Sequence, residues 1–352
     1  MCGSTLDTKG GMVSVIKNYL EYKDWGEYRI TYIPTHFDTN KYVLIGYFCI
    51  RYIQIVISAL FHRYRIAHLH TSCRGSFWRK AFLTKTLKAM GIKVIMHHHG
   101  SEFEGFYSAC SQKQKSCVNK TLESVDLNIV LGGHLVNMIK KKAPESRISV
   151  LYNAVNTHFG NPYDDKARVV LHLGRLGRRK GTFDLLETIK RLDSVIDDDI
   201  RFFLCGDGAV EEVRQRIHEH GISHRVGHIG WIGKEEKDNL LVQAMLHVLP
   251  SYNEGLPMSI LETMAHGIPN VSTRIAAIPE VIEDGVNGLL ITPGDVDALS
   301  EKLHLLITRP EMRKQFSLAA HESVTKRFTL QNHIKELKRL YANCIYNNLP
   351  SI

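Results

Sequence analysis

Glu254 and Glu262 stand eight positions apart in EGLPMSILE, around a Gly-Leu-Pro turn. Two kinds of chemistry use such a pair. The plain one is a helix start: Pro257 suits a first-turn position, and Ser259 with Glu262 spells a capping box. The other is a ligand site, because a helix N-terminus favours an anion. A second cluster, GRLGRRKG at 174–181, follows a strand pattern and opens a helix pattern. Its Arg175 and Lys180 lie five apart across a glycine turn. Two cations beside a helix N-terminus suit a diphosphate. The GxxxxGK[ST] spacing of a Walker loop is absent. A basic solvated turn is the plain alternative. CGDGAVEEV at 205–213 imitates a dinucleotide turn but has Glu211 where the third glycine belongs.

The first half holds two more candidates. TKGG at 8–11 opens a helix, and Gly10 and Gly11 there let backbone N–H groups approach an anion. HHHG at 97–100 ends a predicted strand, and ligands of open α/β sheets bind outside the carboxyl ends of strands. Alternation puts His97 and His99 on one face and His98 on the other. A metal site here needs converging acids or thiols, and no such set accompanies the cluster. A single hydrogen-bonding histidine, and no metal, is the expectation. HLH at 68–70 reads as core packing.

The elements that must position these residues alternate strand and helix, with glycine at the joints. That pattern predicts parallel sheet and βαβ units. It runs through both halves of a 352-residue chain too long for one ordinary core. The expected fold is α/β, two Rossmann-like doubly wound domains facing a cleft. The polar stretch 156–167 marks the boundary, giving domains 1–160 and 161–329, with a last helix at about 330–352 able to pack back on the first. The chain begins at a glycine turn, where a doubly wound sheet normally has a buried strand first. Several residues of that strand are expected to be missing.

Composition narrows the setting. The chain is 44% hydrophobic and 23% charged, as in a globular protein. Seven cysteines with no CxxC pair argue for reduced thiols in the cytosol. The net charge of +9 comes entirely from residues 51–100, which carry nine Lys or Arg and no Asp or Glu. Such a block points to an anionic partner. No nucleic-acid module is recognisable, so an anionic membrane surface is favoured. Residues 42–66 beside it are apolar over about twenty positions. Arg51 and Gln54 near the middle argue for a buried or amphipathic helix rather than a span, compatible with the membrane interface.

Taken in order, GRLGRRKG, GDG, SYNEGLPMSILETMAHGIPNVST and GVNGLLITPGD resemble the family 4 glycosyltransferases. GG near the start and HHHG at a strand end fit the same family. The resemblance implies a retaining, nucleotide-sugar-dependent enzyme of the GT-B fold. It implies that Arg175 and Lys180 hold the donor diphosphate, with Gly255 and Leu256 offering backbone N–H groups. It implies that Glu254 contacts the transferred sugar and Glu262 the ribose, as the E-x7-E pair. His99 would face the reacting side of the sugar, Trp231 and Ile232 would line the base, and Gly10 and Gly11 would approach the phosphates and acceptor. No cofactor is expected, since the nucleotide sugar is a substrate, and no divalent ion.

The expected donor is a UDP-sugar, with GDP-mannose the alternative. The expected acceptor is a polyprenyl-diphosphate-linked glycan, as in capsule, O-antigen or lipopolysaccharide synthesis. Arg74, Arg79 and Lys80 are the candidate basic patch for acceptor or membrane, which places the protein peripherally at the inner face of the cell membrane. Domain closure would exclude water. A GT-B nucleotide-sugar epimerase and a nucleic-acid-binding α/β protein are the alternatives. The second leaves the E-x7-E pair without a role.

Overall fold

The alternation folds into two parallel sheets of six strands, one in each of two units. The structure, a computed structural model, describes residues 1–62, 64–157 and 160–346. In the N-terminal unit the elements are β1 (Cys2–Gly3), α1 (Gly11–Glu21), β2 (Ile33–Pro34), α2 (Lys41–His62), β3 (Ile66–Thr71), α3 (Gly75–Ala89), β4 (Lys93–His98), α4 (Phe103–Ser108), α5 (Gln112–Ser124), β5 (Leu127–Val130), α6 (Gly133–Lys140) and β6 (Ile148–Val150). In the C-terminal unit they are β7 (Val169–Leu173), α7 (Thr182–Leu192), β8 (Arg201–Cys205), α8 (Val210–His220), β9 (Val226–Gly230), α9 (Lys234–Val242), β10 (Ala244–Leu249), α10 (Met258–Ala265), β11 (Asn270–Thr273), β12 (Gly288–Ile291), α11 (Val296–Thr308) and α12 (Pro310–Arg327). The last helix, α13 (Leu330–Tyr346), belongs to the N-terminal unit.

The strand orders are β2-β1-β3-β4-β5-β6 and β12-β11-β10-β7-β8-β9. Both sheets bury near-continuous apolar runs, as a parallel sheet covered on both faces requires. β1 is short: Cys2 pairs with Ile33 on one side and Leu69 on the other. The boundary between units falls between Asn153 and Ala154, ahead of the polar stretch 156–167. The cause is local, since the Val155 N–H donates to the Phe328 carbonyl at 3.0 Å and ties that segment to the C-terminal unit. Residues 158 and 159 of the stretch lie outside the described residues.

Turn chemistry sets the element ends. Ser111 and Gln114 form a reciprocal capping box on α5, and Asp295 caps α11 through the Ala298 N–H. Gly181 begins α7 with φ +68°, and a Cβ there would lie 2.0 Å from the Pro250 carbonyl oxygen. No residue with a side chain fits that position.

α2 is neither buried nor amphipathic. Phe48, Tyr52, Ile55 and Ala59 form an inward stripe on the core, at helical spacing. Ile50, Ile53, Ile57, Leu60 and Phe61 form a second stripe facing outward, with Ile50 66% and Phe61 80% exposed. By length and composition α2 could cross a membrane, but its inward stripe is committed to this unit, and Tyr52 Oη and Thr86 Oγ1 are 2.9 Å apart.

Candidate active site

The site assembles in the C-terminal unit at the carboxyl ends of β7 and β10. β7 ends at Leu173, the chain turns through Gly174–Gly177, and a 3₁₀ turn at Arg178–Lys180 leads into α7. One hydrogen-bond chain holds this turn. Gly177 N–H donates to Thr182 Oγ1 at 2.9 Å. Thr182 Oγ1 lies 3.2 Å from His172 Nε2, and His172 Nδ1 lies 2.9 Å from the Val248 carbonyl. A carbonyl can only accept, so Nδ1 carries the proton and Nε2 accepts from the threonine hydroxyl. Burial pushes His172 down to about 4, which keeps that tautomer uncharged.

The GDG turn packs backbone to backbone on the same loop. A Cβ on Gly206 would lie 1.8 Å from the Gly174 oxygen, and Leu176 and Asp207 share a 2.6 Å backbone hydrogen bond. These glycines serve turn-on-turn packing, which explains why the dinucleotide spacing fails.

Lys180 Nζ donates to Glu254 Oε1, and Ser251 Oγ donates to the same oxygen at 2.7 Å. Glu254 is 7% exposed and Lys180 partly buried, so the pair is held in a low-dielectric setting. Arg179 fastens the turn from behind, taking Tyr252 N–H on its carbonyl at 2.9 Å and donating to the Asn253 carbonyl at 3.1 Å. Arg175 is exposed at the rim. Gly255 and Leu256 are buried where the chain enters α10.

The capping-box expectation is corrected. Pro257 occupies the N-cap and α10 begins at Met258, so Ser259 sits inside the helix. The Glu262 carboxylate reaches Lys237 of α9 at 3.0 Å instead. Lys237 and Ser251 are partners that sequence reasoning missed, since neither has a motif. Ile232 is also corrected as a base-lining side chain. It is 8% exposed and packs with Leu171, Leu173 and Ile268 in a core cluster. Trp231 is 54% exposed.

The remaining candidates lie in the N-terminal unit. Gly10 is the N-cap of α1 at φ +139°, and Gly11 is exposed. His99 Nε2 lies 2.9 Å from His70 Nδ1, and burial pushes His99 down to about 3, so it acts as a neutral hydrogen-bonding group. His98 turns to the other face, 2.9 Å from Asn128 Oδ1, as alternation requires.

The basic patch is corrected. Lys80 is 1% exposed and donates to Thr35 Oγ1, with burial pushing it down to about 8. Arg79 is partly buried, and Arg74 faces Glu102 at 3.4 Å. Lys88 and Lys93 both pair with Asp126. The counter-ions come from outside the 51–100 block, so the charge excess of that window is not one continuous surface.

Residues 155–323 match the family model for glycosyl transferases group 1. The N-acetyl-alpha-D-glucosaminyl L-malate synthase of Bacillus anthracis is 24% identical over 295 residues, 78% of this chain and 74% of that protein. The lipopolysaccharide core biosynthesis glycosyltransferase LpsE of Rhizobium meliloti is 31% identical over 167 residues, 46% of each. Among solved structures, Anabaena HepE in complex with UDP superposes with a TM-score of 0.78 at 17% identity, covering 97% of this chain and 98% of that one. The lipopolysaccharide outer core galactosyltransferase WaaB superposes with a TM-score of 0.69 at 20% identity, covering 99% of each. Residues 155–323 are thus similar to the glycosyl transferases group 1, and the chain has the GT-B fold of these solved glycosyltransferases.

Proposed function

We propose that this protein transfers a sugar from a nucleotide sugar, a UDP-sugar by preference over GDP-mannose, to a membrane-associated glycan acceptor, with retention at the anomeric carbon. The observation that carries the donor reading is the buried Lys180–Glu254 pair beside the exposed Arg175, at a turn leading into α7 and next to the start of α10. The bond from the anomeric carbon to the diphosphate oxygen breaks, and charge grows on the leaving group. Arg175, Lys180 and the first-turn N–H groups of α10 stabilise that charge. The acceptor oxygen forms its bond on the face the diphosphate leaves, and its proton passes to the leaving phosphate. The two glutamates anchor sugar and ribose, and the protein's own cations replace a divalent ion in this step.

The uridine preference is supported by HepE having been solved with UDP. The family match and the transferase names of the relatives favour transfer over epimerisation. A thermal-shift series with UDP, GDP and ADP tests the donor. UDP should raise the melting temperature most, since a ligand at a hundredfold its Kd stabilises by about 2.7 kcal/mol. A larger GDP shift would move the donor to GDP-mannose, and no shift with any nucleotide would overturn the donor site.

The same proposal places the acceptor in a lipid-linked glycan of surface-polysaccharide type, with the protein peripheral at the inner membrane face. Support comes from the outward stripe of α2, an exposed apolar face that the interface of a bilayer would cover. Vesicles containing anionic phospholipid should carry the wild-type chain upward in a flotation gradient. The double substitution Ile50→Asp and Ile53→Asp should leave it at the bottom with an unchanged melting temperature, because both side chains are exposed. Wild-type protein remaining at the bottom would remove the membrane from this reading.

A further inference from the structure

β3 and β4 carry two His-x-His pairs side by side. His68 and His70 lie on β3, His97 and His99 on and just after β4, and His70 pairs in register with His97. Strand alternation puts all four on one face of the sheet. There they are covered by Tyr19 of α1 and by Tyr341 and His333 of α13. His68 is 2% exposed, and His70 and His97 are fully buried. The rings of His68 and His70 stack at 4.3 Å, and His97 lies 5.3 and 5.4 Å from them.

The hydrogen bonds around this cluster leave two nitrogens over. His68 Nδ1 meets Tyr341 Oη at 2.6 Å, and His68 Nε2 meets His97 Nδ1 at 3.2 Å. His70 Nδ1 meets His99 Nε2 at 2.9 Å. His70 Nε2 and His97 Nε2 are buried with no protein partner. When His70 Nδ1–H donates to His99 and His68 Nδ1–H donates to Tyr341, His70 Nε2 presents a bare lone pair, and with the His97 proton on Nε2 the lone pairs of His68 Nε2 and His97 Nδ1 face each other at 3.2 Å across a gap that a cation fills. That is how metal-binding histidines are oriented, with the distal N–H fixed by an acceptor.

We propose that His68, His70 and His97 form a binding site for one transition-metal ion in the sheet of the N-terminal unit. Their ligand atoms all lie within 4.8 Å of one another. A tetrahedral ion with nitrogen ligands at about 2.0–2.1 Å needs those atoms roughly 3.3 Å apart, so closing the widest gap takes a contraction of up to about 1.5 Å. Three imidazoles suffice for such a site, which removes the need for acids or thiols inferred from the sequence. An all-imidazole set selects zinc, copper, nickel or cobalt over magnesium, calcium or manganese. Burial keeps all three histidines well below the ordinary range, so binding displaces no protons at neutral pH. The site is structural and independent of leaving-group departure.

The test uses full-length protein freed of metal with a chelator. Cobalt(II) should bind at one ion per chain with visible d–d bands, and zinc(II) should displace it and raise the melting temperature by several degrees. His70→Gln should lose the bands, keeping the melting temperature of the metal-free wild type. X-ray absorption on the wild-type zinc form gives a readout that does not depend on the variant folding. It should show imidazole nitrogens at the zinc. No band and no thermal shift, an oxygen-only shell, or equal binding by His70→Gln to the other histidines would each overturn the proposal.

Discussion

Glu254→Gln should lower sugar transfer by about two to three orders of magnitude, the scale seen when one preorganised polar contact to a transition state is removed. Glutamine has the same size, and its carbonyl can still accept from Lys180 and Ser251, so the turn keeps its hydrogen bonds. What is lost is the negative charge that anchors the sugar. Lys180 stays in place and gains net positive charge toward the diphosphate, so UDP affinity should hold or rise while kcat falls. Lys180→Met makes a contrast: it leaves the buried Glu254 carboxylate without its cation, at a cost of about 3–5 kcal/mol. Steady-state kinetics, UDP titration and melting curves on both variants check this pattern. Near-normal turnover in Glu254→Gln would reduce the glutamate to a structural partner of Lys180.

Acidification should unfasten the C-terminal unit from within. His172 and His247 are fully buried and uncharged, and burial pushes them down to about 4 and about 3. Each accepts a hydrogen bond at Nε2, from the Thr182 hydroxyl and from the Leu173 N–H at 3.4 Å. A histidine in the unfolded chain titrates near 6.5. The unfolded state therefore takes up protons first as the pH falls, and the stability held by the neutral imidazoles is complete above about 6.5 and lost toward 4. Between pH 7 and pH 5 that amounts to about 2 kcal/mol per histidine. Hydrogen exchange of the β7 and β10 amides, corrected for its intrinsic pH dependence, should report the loss. His172→Gln should remove half of it. A flat opening free energy over that range would contradict the assignment. In the folded unit the proton that charges His172 breaks the chain holding the Arg175–Lys180 turn, so donor affinity should hold through that window and fall only as the pH approaches about 4.

Much of this site is written locally. Glycine spacing marks the turns at 174–181 and 206–208, and the alternation of apolar runs marks both sheets. The start of α10 is readable from Pro257, although the proline takes the cap and displaces Ser259 into the helix. What stays hidden is set by pairings across long sequence separations. Glu262 goes to Lys237, and the basic block at 51–100 is partly neutralised by Glu102 and Asp126. Counting charge in a window cannot see such partners. Lys80 reads as a surface cation until α3 places it against Thr35. α2 is misjudged for a related reason. A helix apolar on every side gives no periodic signal for which side faces the core, and here two stripes face opposite ways.

The return of α13 to the N-terminal unit has a consequence for synthesis. Strands β1 to β6 leave the ribosome early, but the helix that covers His68 and Tyr19 is made from residues translated after the whole C-terminal unit. Domains ordinarily fold in the order they emerge. Here the C-terminal unit is complete once residue 329 is out, while the unit made first waits for Leu330–Tyr346 to close its histidine-lined face. Of these two units the one begun first is finished second, and a nascent chain carries that face without its α13 cover through the whole interval.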